Sequence, residues 1–364
     1  MTKTARKAPG KIASAGGKGG RPKKKPTLVE KYREALKKKP TVPPDYLDPS
    51  LGEAQDLVYD GWDLYSRDTR GAKECFEEAL ELDPDLADAY NGLAGLAVDK
   101  ARFEEAESLY RTAYEKAKAA VGTEDPKAFA WWGELETRPY MRARHGLGLL
   151  LMKLGRYREA VVEFKDLLGR NPNDNQGIRY LVAPARLLDG DIDGALDEFR
   201  WYRRQYPDDC PDPHYLLDWG LTLFLAGRFE EAAGRFRVLV FENPYLIPFA
   251  LGKKPKTLPI WHSNNLMCRD YAKEYFDWHK SLWADRPEAR RFLQFIWDDP
   301  DVKCDYWEWV DLWEQASDLR PGRKRSAALE KIYRIEGSGL SPQFLARLKE
   351  HVAAHLEPPK GRVS

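Results

Sequence analysis

Five times along the chain a small residue is followed four positions later by an aromatic residue and three after that by another small or apolar one. The frames are Ala72, Phe76, Ala79; Ala106, Tyr110, Ala113; Ala160, Phe164, Leu167; Ala195, Phe199, Tyr202; and Ala232, Phe236, Leu239. Steps of four and three put these side chains on one face of a helix. In four of the five frames a proline follows five residues on, at Pro84, Pro172, Pro207 and Pro244. Proline lacks an N–H and restricts the residue before it, so it ends the helix there. Twelve positions before the small residue stands another: Gly148 before Ala160, Gly220 before Ala232, with Ala94 and Ala183 in the intervening frames. Two helices can approach closely at such points. A Gly-x-aromatic turn separates them, as in Gly155-Arg156-Tyr157 and Gly227-Arg228-Phe229, because glycine accepts the left-handed geometry that closes a helix. The repeated unit is a helical hairpin, and its recurrence predicts an all-α solenoid.

This pattern resembles the tetratricopeptide repeat, a helix-turn-helix unit of about 34 residues, over residues 53–247. A narrower resemblance rests on the runs Glu136 to Arg144 and Asn171 to Leu181. It continues through Asn243-Pro244-Tyr245, the strip Ile247-Pro248-Phe249-Ala250-Leu251, Leu258-Pro259 and a helix with Tyr271, Ala272 and Trp278. These resemble, over residues 85–300, bacterial tetratricopeptide proteins related to the suppressor-of-tumorigenicity-seven family. The likeness implies a repeat scaffold without catalytic residues. It departs in two places: the N-terminal membrane segments of the eukaryotic relatives have no counterpart here, and residues 301–364 match nothing in the family.

At 43% hydrophobic residues, 364 positions can build a continuous core without disulfides or metal. The longest stretch free of Lys, Arg, Asp and Glu, Thr257 to Cys268, has twelve residues, whereas a membrane-spanning helix needs about 20 apolar ones. Cys75, Cys210, Cys268 and Cys304 lack CxxC spacing, so a cytoplasmic location is expected. The net charge of +1 conceals an asymmetry: residues 1–40 carry fourteen Lys or Arg against Glu30 and Glu34, or +12, which leaves −11 on the rest by difference.

Residues 1–26 are basic and nearly devoid of large aliphatic side chains, so a disordered tail is expected. A short helix over Thr27 to Lys38 and a linker follow to residue 52. The tail suits nucleic-acid phosphates by counterion release, an anionic membrane surface, or simply a solvated arm. It has no aromatic residue before Tyr32 for base stacking.

Between the second and third frames the period breaks, and residues 121–138, with Pro126, Trp131 and Trp132, are expected to form a longer helical hairpin rather than a ligand loop. In the repeat frame, positions two, five, nine and twelve of each first helix face the concave groove. These are Asp88 and Asn91 in the second frame; Arg142, His145, Leu149 and Met152 in the third; Gly177, Tyr180, Pro184 and Leu187 in the fourth; His214, Leu217, Leu221 and Phe224 in the fifth. Arg142, Arg144, Asn175 and Arg179 fall on or beside adjacent first turns, and with His145 and Tyr180 they form the candidate partner-binding set. Bidentate arginine suits a carboxylate or phosphate. The alternative is an internal ion-pair network in which Glu134 and Glu136 neutralise the arginines. The lysine and asparagine pattern of the carboxylate clamp found in some tetratricopeptide domains is not reproduced.

Residues 248–364 are aromatic: Trp261, Trp278, Trp283, Trp297, Trp307, Trp309 and Trp313 lie within 53 residues. Helices are expected over 265–284, 287–297, 301–319, 323–336 and 342–355. In the first, Tyr271, Tyr275, Trp278 and Leu282 share a face, as do Tyr306, Trp309, Val310 and Trp313 in the third. Such stripes are expected to be core, capping the apolar Leu217, Leu221 and Phe224 surface. His351 and His355 lack a third ligand or an HExxH arrangement, and Gly16 to Gly20 lacks P-loop spacing. No catalytic set, cofactor motif or metal site is evident. The expected function is a non-enzymatic scaffold that binds a peptide or partner helix in the groove; the alternative is nucleic-acid association through residues 1–26.

Overall fold

The helix stops and small-residue contacts read from the sequence set the architecture of the computed structural model, which describes residues 49–260 and 265–356. The expected tail over 1–26, the helix at 27–38 and Trp261 lie outside the described residues. Five hairpins follow one another: α1 (Pro49–Leu64) with α2 (Thr69–Leu82), α3 (Ala87–Asp99) with α4 (Phe103–Val121), α5 (Arg138–Lys153) with α6 (Tyr157–Arg170), α7 (Val182–Leu188) with α8 (Ile192–Gln205), and α9 (Pro213–Leu225) with α10 (Phe229–Glu242). A short α11 (Leu246–Ala250) leads to α12 (Arg269–Ala284), α13 (Pro287–Asp298), α14 (Pro300–Asp318), α15 (Arg323–Glu336) and α16 (Pro342–His355). Among the described residues there is no strand.

In four of the five hairpins the aromatic residue of the second helix enters space that a glycine leaves on a first helix. Phe76 lies between α1 and α3, where a Cβ on Gly61 or Gly92 would come within 2.5 or 2.3 Å of its ring. The same holds for Tyr110 against Gly146, Phe164 against Gly148 and Phe236 against Gly220, at 2.3, 2.5 and 2.3 Å. Phe76, Phe164 and Phe236 are fully buried, each worth about 1.5–3 kcal/mol of transfer free energy.

The turns follow the sequence in detail. Gly155, Gly190 and Gly227 have φ of +74°, +80° and +72°, but in the second hairpin the equivalent residue is Ala101, held at +54°. A left-handed alanine costs about 1–2 kcal/mol. Second helices are started by side-chain caps where one is available: Asp68 accepts from the backbone of Arg70 and Gly71, and Asp191 from that of Gly194.

Two expectations are corrected. The insertion is not a longer helical hairpin: α4 stops at Gly122, with φ +73°, and the chain turns through Thr123, Asp125 and Pro126 to a 3-10 turn at Leu135–Thr137. Its Trp131 is nonetheless fully buried, donating from Nε1 to the Pro126 carbonyl at 3.0 Å. The first helix of the fourth hairpin is also short. Gly177, at φ +73°, and a 3-10 turn at Ile178–Tyr180 precede seven residues of α7.

The C-terminal helices close the array. Phe241 packs on Trp309 at 5.6 Å, Arg237 bonds Asp305 and Ser338 at 2.6 Å each, and Trp309 donates to Glu336 at 2.8 Å. Residues of hairpins four and five and of α12–α16 form one buried cluster. Pro287, Pro300 and Pro342 each stand in the first turn of a helix, where the missing N–H is no loss. Of the two aromatic stripes, the one on α14 is core, whereas on α12 Trp278 is 45% exposed.

We expect Phe164→Ala to destabilise the protein by about 3–5 kcal/mol, and Ala101→Gly to stabilise it by up to about 1 kcal/mol once the greater freedom of the unfolded glycine is subtracted. Urea unfolding of the two variants reads both; a lowered midpoint in Ala101→Gly would contradict the strain at that turn.

Candidate functional site

The first helices of the hairpins, which the repeat frame assigns to the inner face, change in character along the array. At hairpin two, Asp88 and Asn91 are buried, and Asn91 donates from Nδ2 to Asp88 Oδ1 at 3.1 Å and to the Pro139 carbonyl at 3.0 Å. That second bond fastens the start of α5 to α3. Arg142 of α5 pairs with Asp88 Oδ2 while leaving 40% of its side chain in solvent. One turn further, Gln176 meets Nδ1 of His145 at 3.4 Å. Leu149 is 37% exposed, and Met152 is buried.

Arg144 stands apart from this surface. It bonds Glu163 at 2.6 Å, Asp166 and the Tyr140 hydroxyl at 3.0 Å, and lies over the rings of Tyr114 and Tyr140. Arg170 shares Asp166 and stacks on Trp131 at 4.3 Å, so this network anchors the insertion to the third hairpin. Arg179 is likewise engaged, with Asp174 at 3.0 Å and Asp209 at 2.9 Å. Asp209 also accepts from the hydroxyls of Tyr180 and Tyr202 at 2.6 and 3.1 Å. Asp174, left-handed at φ +48°, caps the turn by accepting from the backbone of Ile178 and Arg179 at 2.8 Å each.

Of the six sequence candidates, Arg142 pairs with Asp88 while partly exposed, His145 meets Gln176, and Asn175 is exposed. Arg144, Arg179 and Tyr180 are tied into internal struts. Carboxylates that meet these arginines include Asp88, Glu163, Asp166, Asp174 and Asp209, none of which the sequence singles out for that role. Sequence reasoning missed them because each lies on a different helix or turn from its arginine or is one of many acidic residues on its own.

At hairpin five the inner face is covered from within the chain. The ring of His214 stacks on Tyr271 at 4.0 Å and 6°, and its Nε2 lies 2.8 Å from the Tyr271 carbonyl. Tyr275 donates to buried Asp218 at 2.6 Å and accepts from Trp283 Nε1 at 2.9 Å. His279 Nε2 is 3.6 Å from the other Asp218 oxygen. Phe224 packs on Phe292 at 5.0 Å, and Leu217 and Leu221 are fully buried. Helix α12 continues past α9: Lys153, at the end of α5, has its Nζ 5.1 Å from the centre of the Trp278 ring and 5.8 Å from that of Phe103. Trp278, Leu149 and Lys153 are thus the residues that the covered and open parts of the inner face have nearest their boundary. In the fourth hairpin Pro184 and Leu187, expected to face the groove, are buried, which follows from the shortening of α7.

Among the described residues no group of three His, Cys, Asp or Glu is arranged to hold a metal, and no helix is long and apolar enough to cross a membrane. His351 is stacked on Phe295 at 4.2 Å.

A tetratricopeptide-repeat family model matches residues 63–121, 145–209 and 183–247, so the chain carries these repeats. A solved structure described as the functional characterization of Pseudomonas aeruginosa pilF is similar at 18% identity and a TM-score of 0.39, covering 67% of this chain and 98% of that one. No curated protein matches the sequence significantly.

Burial pushes the His145 imidazole down to about 4 from its ordinary 6.5, because the charged ring loses its hydration there. Between those values the unfolded chain binds more protons than the native one, so the contribution of neutral His145 is fully present above pH 6.5 and is lost as pH falls toward 4. His214 and His351 are lowered in the same sense, also chiefly by burial. We expect His145→Gln to flatten part of the acid limb of a plot of melting temperature against pH; an unchanged slope would show that His145 stays hydrated.

Proposed function

Because the chain carries tetratricopeptide repeats, we propose that it is a protein-interaction scaffold that receives a peptide or partner helix on the inner face of hairpins two to four. One observation carries this reading: Arg142 and Leu149 remain open to solvent, whereas the equivalent surface of hairpin five is covered by α12. The open stretch runs from a polar end at Arg142 to an apolar end at Leu149 and Trp278. A complementary segment presents a carboxylate toward Arg142 and an apolar side chain about two helical turns away. Helix-in-groove and extended-peptide binding both fit that spacing of anchors.

In this reading Arg144, Arg179 and Tyr180 act as supports. They hold the hairpins in register and so set the shape of the groove, and Asn175 lies at its rim. The narrower likeness to the suppressor-of-tumorigenicity-seven relatives adds no partner to it.

The test is affinity capture from lysate with the full chain, Leu149→Glu, and a variant lacking residues 1–26, with and without nuclease. Leu149→Glu places a charge on an already exposed position, so its melting temperature should match the parent within about 2 °C. A protein captured by the parent and by the shortened chain, and lost at least tenfold in Leu149→Glu, is the expected outcome. Capture of nucleic acid alone, abolished by loss of residues 1–26, would replace the groove with the basic segment as the functional element.

A further inference from the structure

A second surface is formed by the outer helices of hairpins four and five. Between α8 and α10 lies a cleft of about 260 Å³ whose floor is Trp219 and Leu223 of α9. Five arginines line it. Arg200, Arg203 and Arg204 project from α8, at the i, i+3 and i+4 spacing that shares a helix face, while Arg228 and Arg235 come from the start and the second turn of α10. The lining contains one carboxylate, Glu231, so it nets +4. The rest of the chain beyond residue 40 is strongly acidic.

The charges in the cleft are not internally neutralised. Both oxygens of Glu231 are taken by Arg228, at 2.7 Å each, and Arg200 is paired with Asp197. Among the described residues Arg203, Arg204 and Arg235 have no carboxylate within ion-pair distance. This sets them apart from Arg142, Arg144, Arg170, Arg179 and Arg186, each of which has one or two. The Arg235 guanidinium carbon lies over the Trp219 ring at 3.8 Å from its centre, and Trp219 is in turn stacked on Phe199 at 5.0 Å and 9°. The ring contact restrains the guanidinium without consuming its N–H donors, which stay available to a ligand. Burial, and then the like charge of Arg203, pull the Arg235 guanidinium below its ordinary value; an anion in the cleft would relieve that opposition.

We propose that this cleft binds a phosphate monoester, either free or carried on a side chain of a partner protein. A monoester brings a charge near −2 and three acceptor oxygens, which match three unneutralised forks better than a single carboxylate does. A nucleic-acid backbone instead requires a track of successive phosphate contacts, and this cation cluster is confined to one cleft between two helices. The site shares no lining residue with the groove of the scaffold reading and stands whether or not that groove binds protein.

Isothermal titration of the full chain, at matched ionic strength, would use four probes: inorganic phosphate, a phosphoserine peptide, its unphosphorylated form, and a single-stranded oligonucleotide. The variants are Arg203→Gln and Arg235→Lys, with Arg291→Gln as an exposed control on α13. Saturable binding of phosphate or phosphopeptide, weakened about tenfold by either cleft variant and unchanged in the control, is expected, since Lys keeps the charge of Arg235 but loses its fork. Phosphopeptide binding tighter than inorganic phosphate identifies a partner side chain as the source; equal binding identifies a free ion or small ester. Should Arg235→Lys fail to fold, Arg203→Gln, at an exposed position, carries the test. Binding that persists undiminished in both cleft variants, no saturable binding at all, or an oligonucleotide that outcompetes both phosphate probes would overturn the proposal.

Discussion

The solenoid depends on rings seated where glycines have no Cβ. Phe76, Tyr110, Phe164 and Phe236 each occupy a space that a single methyl group on Gly92, Gly146, Gly148 or Gly220 would fill. That contact sets the distance between paired helices and, for Phe76 and Tyr110, between successive hairpins. Everything polar is arranged on a scaffold fixed in this way. The cross-hairpin bond from Asn91 to the Pro139 carbonyl requires α3 and α5 to lie that close, as does the pairing of Arg142 with an otherwise buried Asp88 carboxylate.

The arginines divide by what surrounds them. Arg142, Arg144, Arg170 and Arg179 meet acidic residues from 4 to 54 positions away and act as braces. Their worth lies less in Coulomb attraction than in avoiding an unpaired buried charge, since removing one partner of a buried pair costs far more than an exposed pair contributes. Arg235 is different in kind, because its neighbours are a tryptophan face and other arginines.

The hairpins were legible because their determinants are local. Gly155 and Gly227 mark turns and Pro172, Pro207 and Pro244 mark ends within a few residues of the helices they bound. The C-terminal helices were legible for the same reason, with Pro287, Pro300 and Pro342 sitting in their first turns. What failed was nonlocal or balanced between alternatives. The segment after Val121 has helix-compatible tryptophans, but Gly122, Asp125 and Pro126 won locally, and Trp131 found burial from a loop instead. The stripe on α12 reads as core throughout, yet Trp278 lies where the helix overhangs open groove. At the candidate site, the repeat register was legible for Arg142 and His145, whereas the engagement of Arg144 and Arg179 depends on Glu163, Asp166 and Asp209, whose proximity only the stacked hairpins create.

The packing of α12–α16 on the fifth hairpin has a bearing on how such an array can change in length. Phe236, Phe241 and Phe292 share one buried cluster with Trp309, Phe344 and Leu348, so the surface on which a sixth hairpin would stack is already spent. A duplicated repeat inserted after α10 would have to displace that whole cluster, losing the Arg237 and Trp309 bonds along with it. One inserted between earlier hairpins would meet only another copy of the ring-and-glycine contact it brings with it. On packing grounds, then, a unit added or removed in the interior of the array disturbs less than one at the fifth hairpin, which is packed with the helices after it as a block.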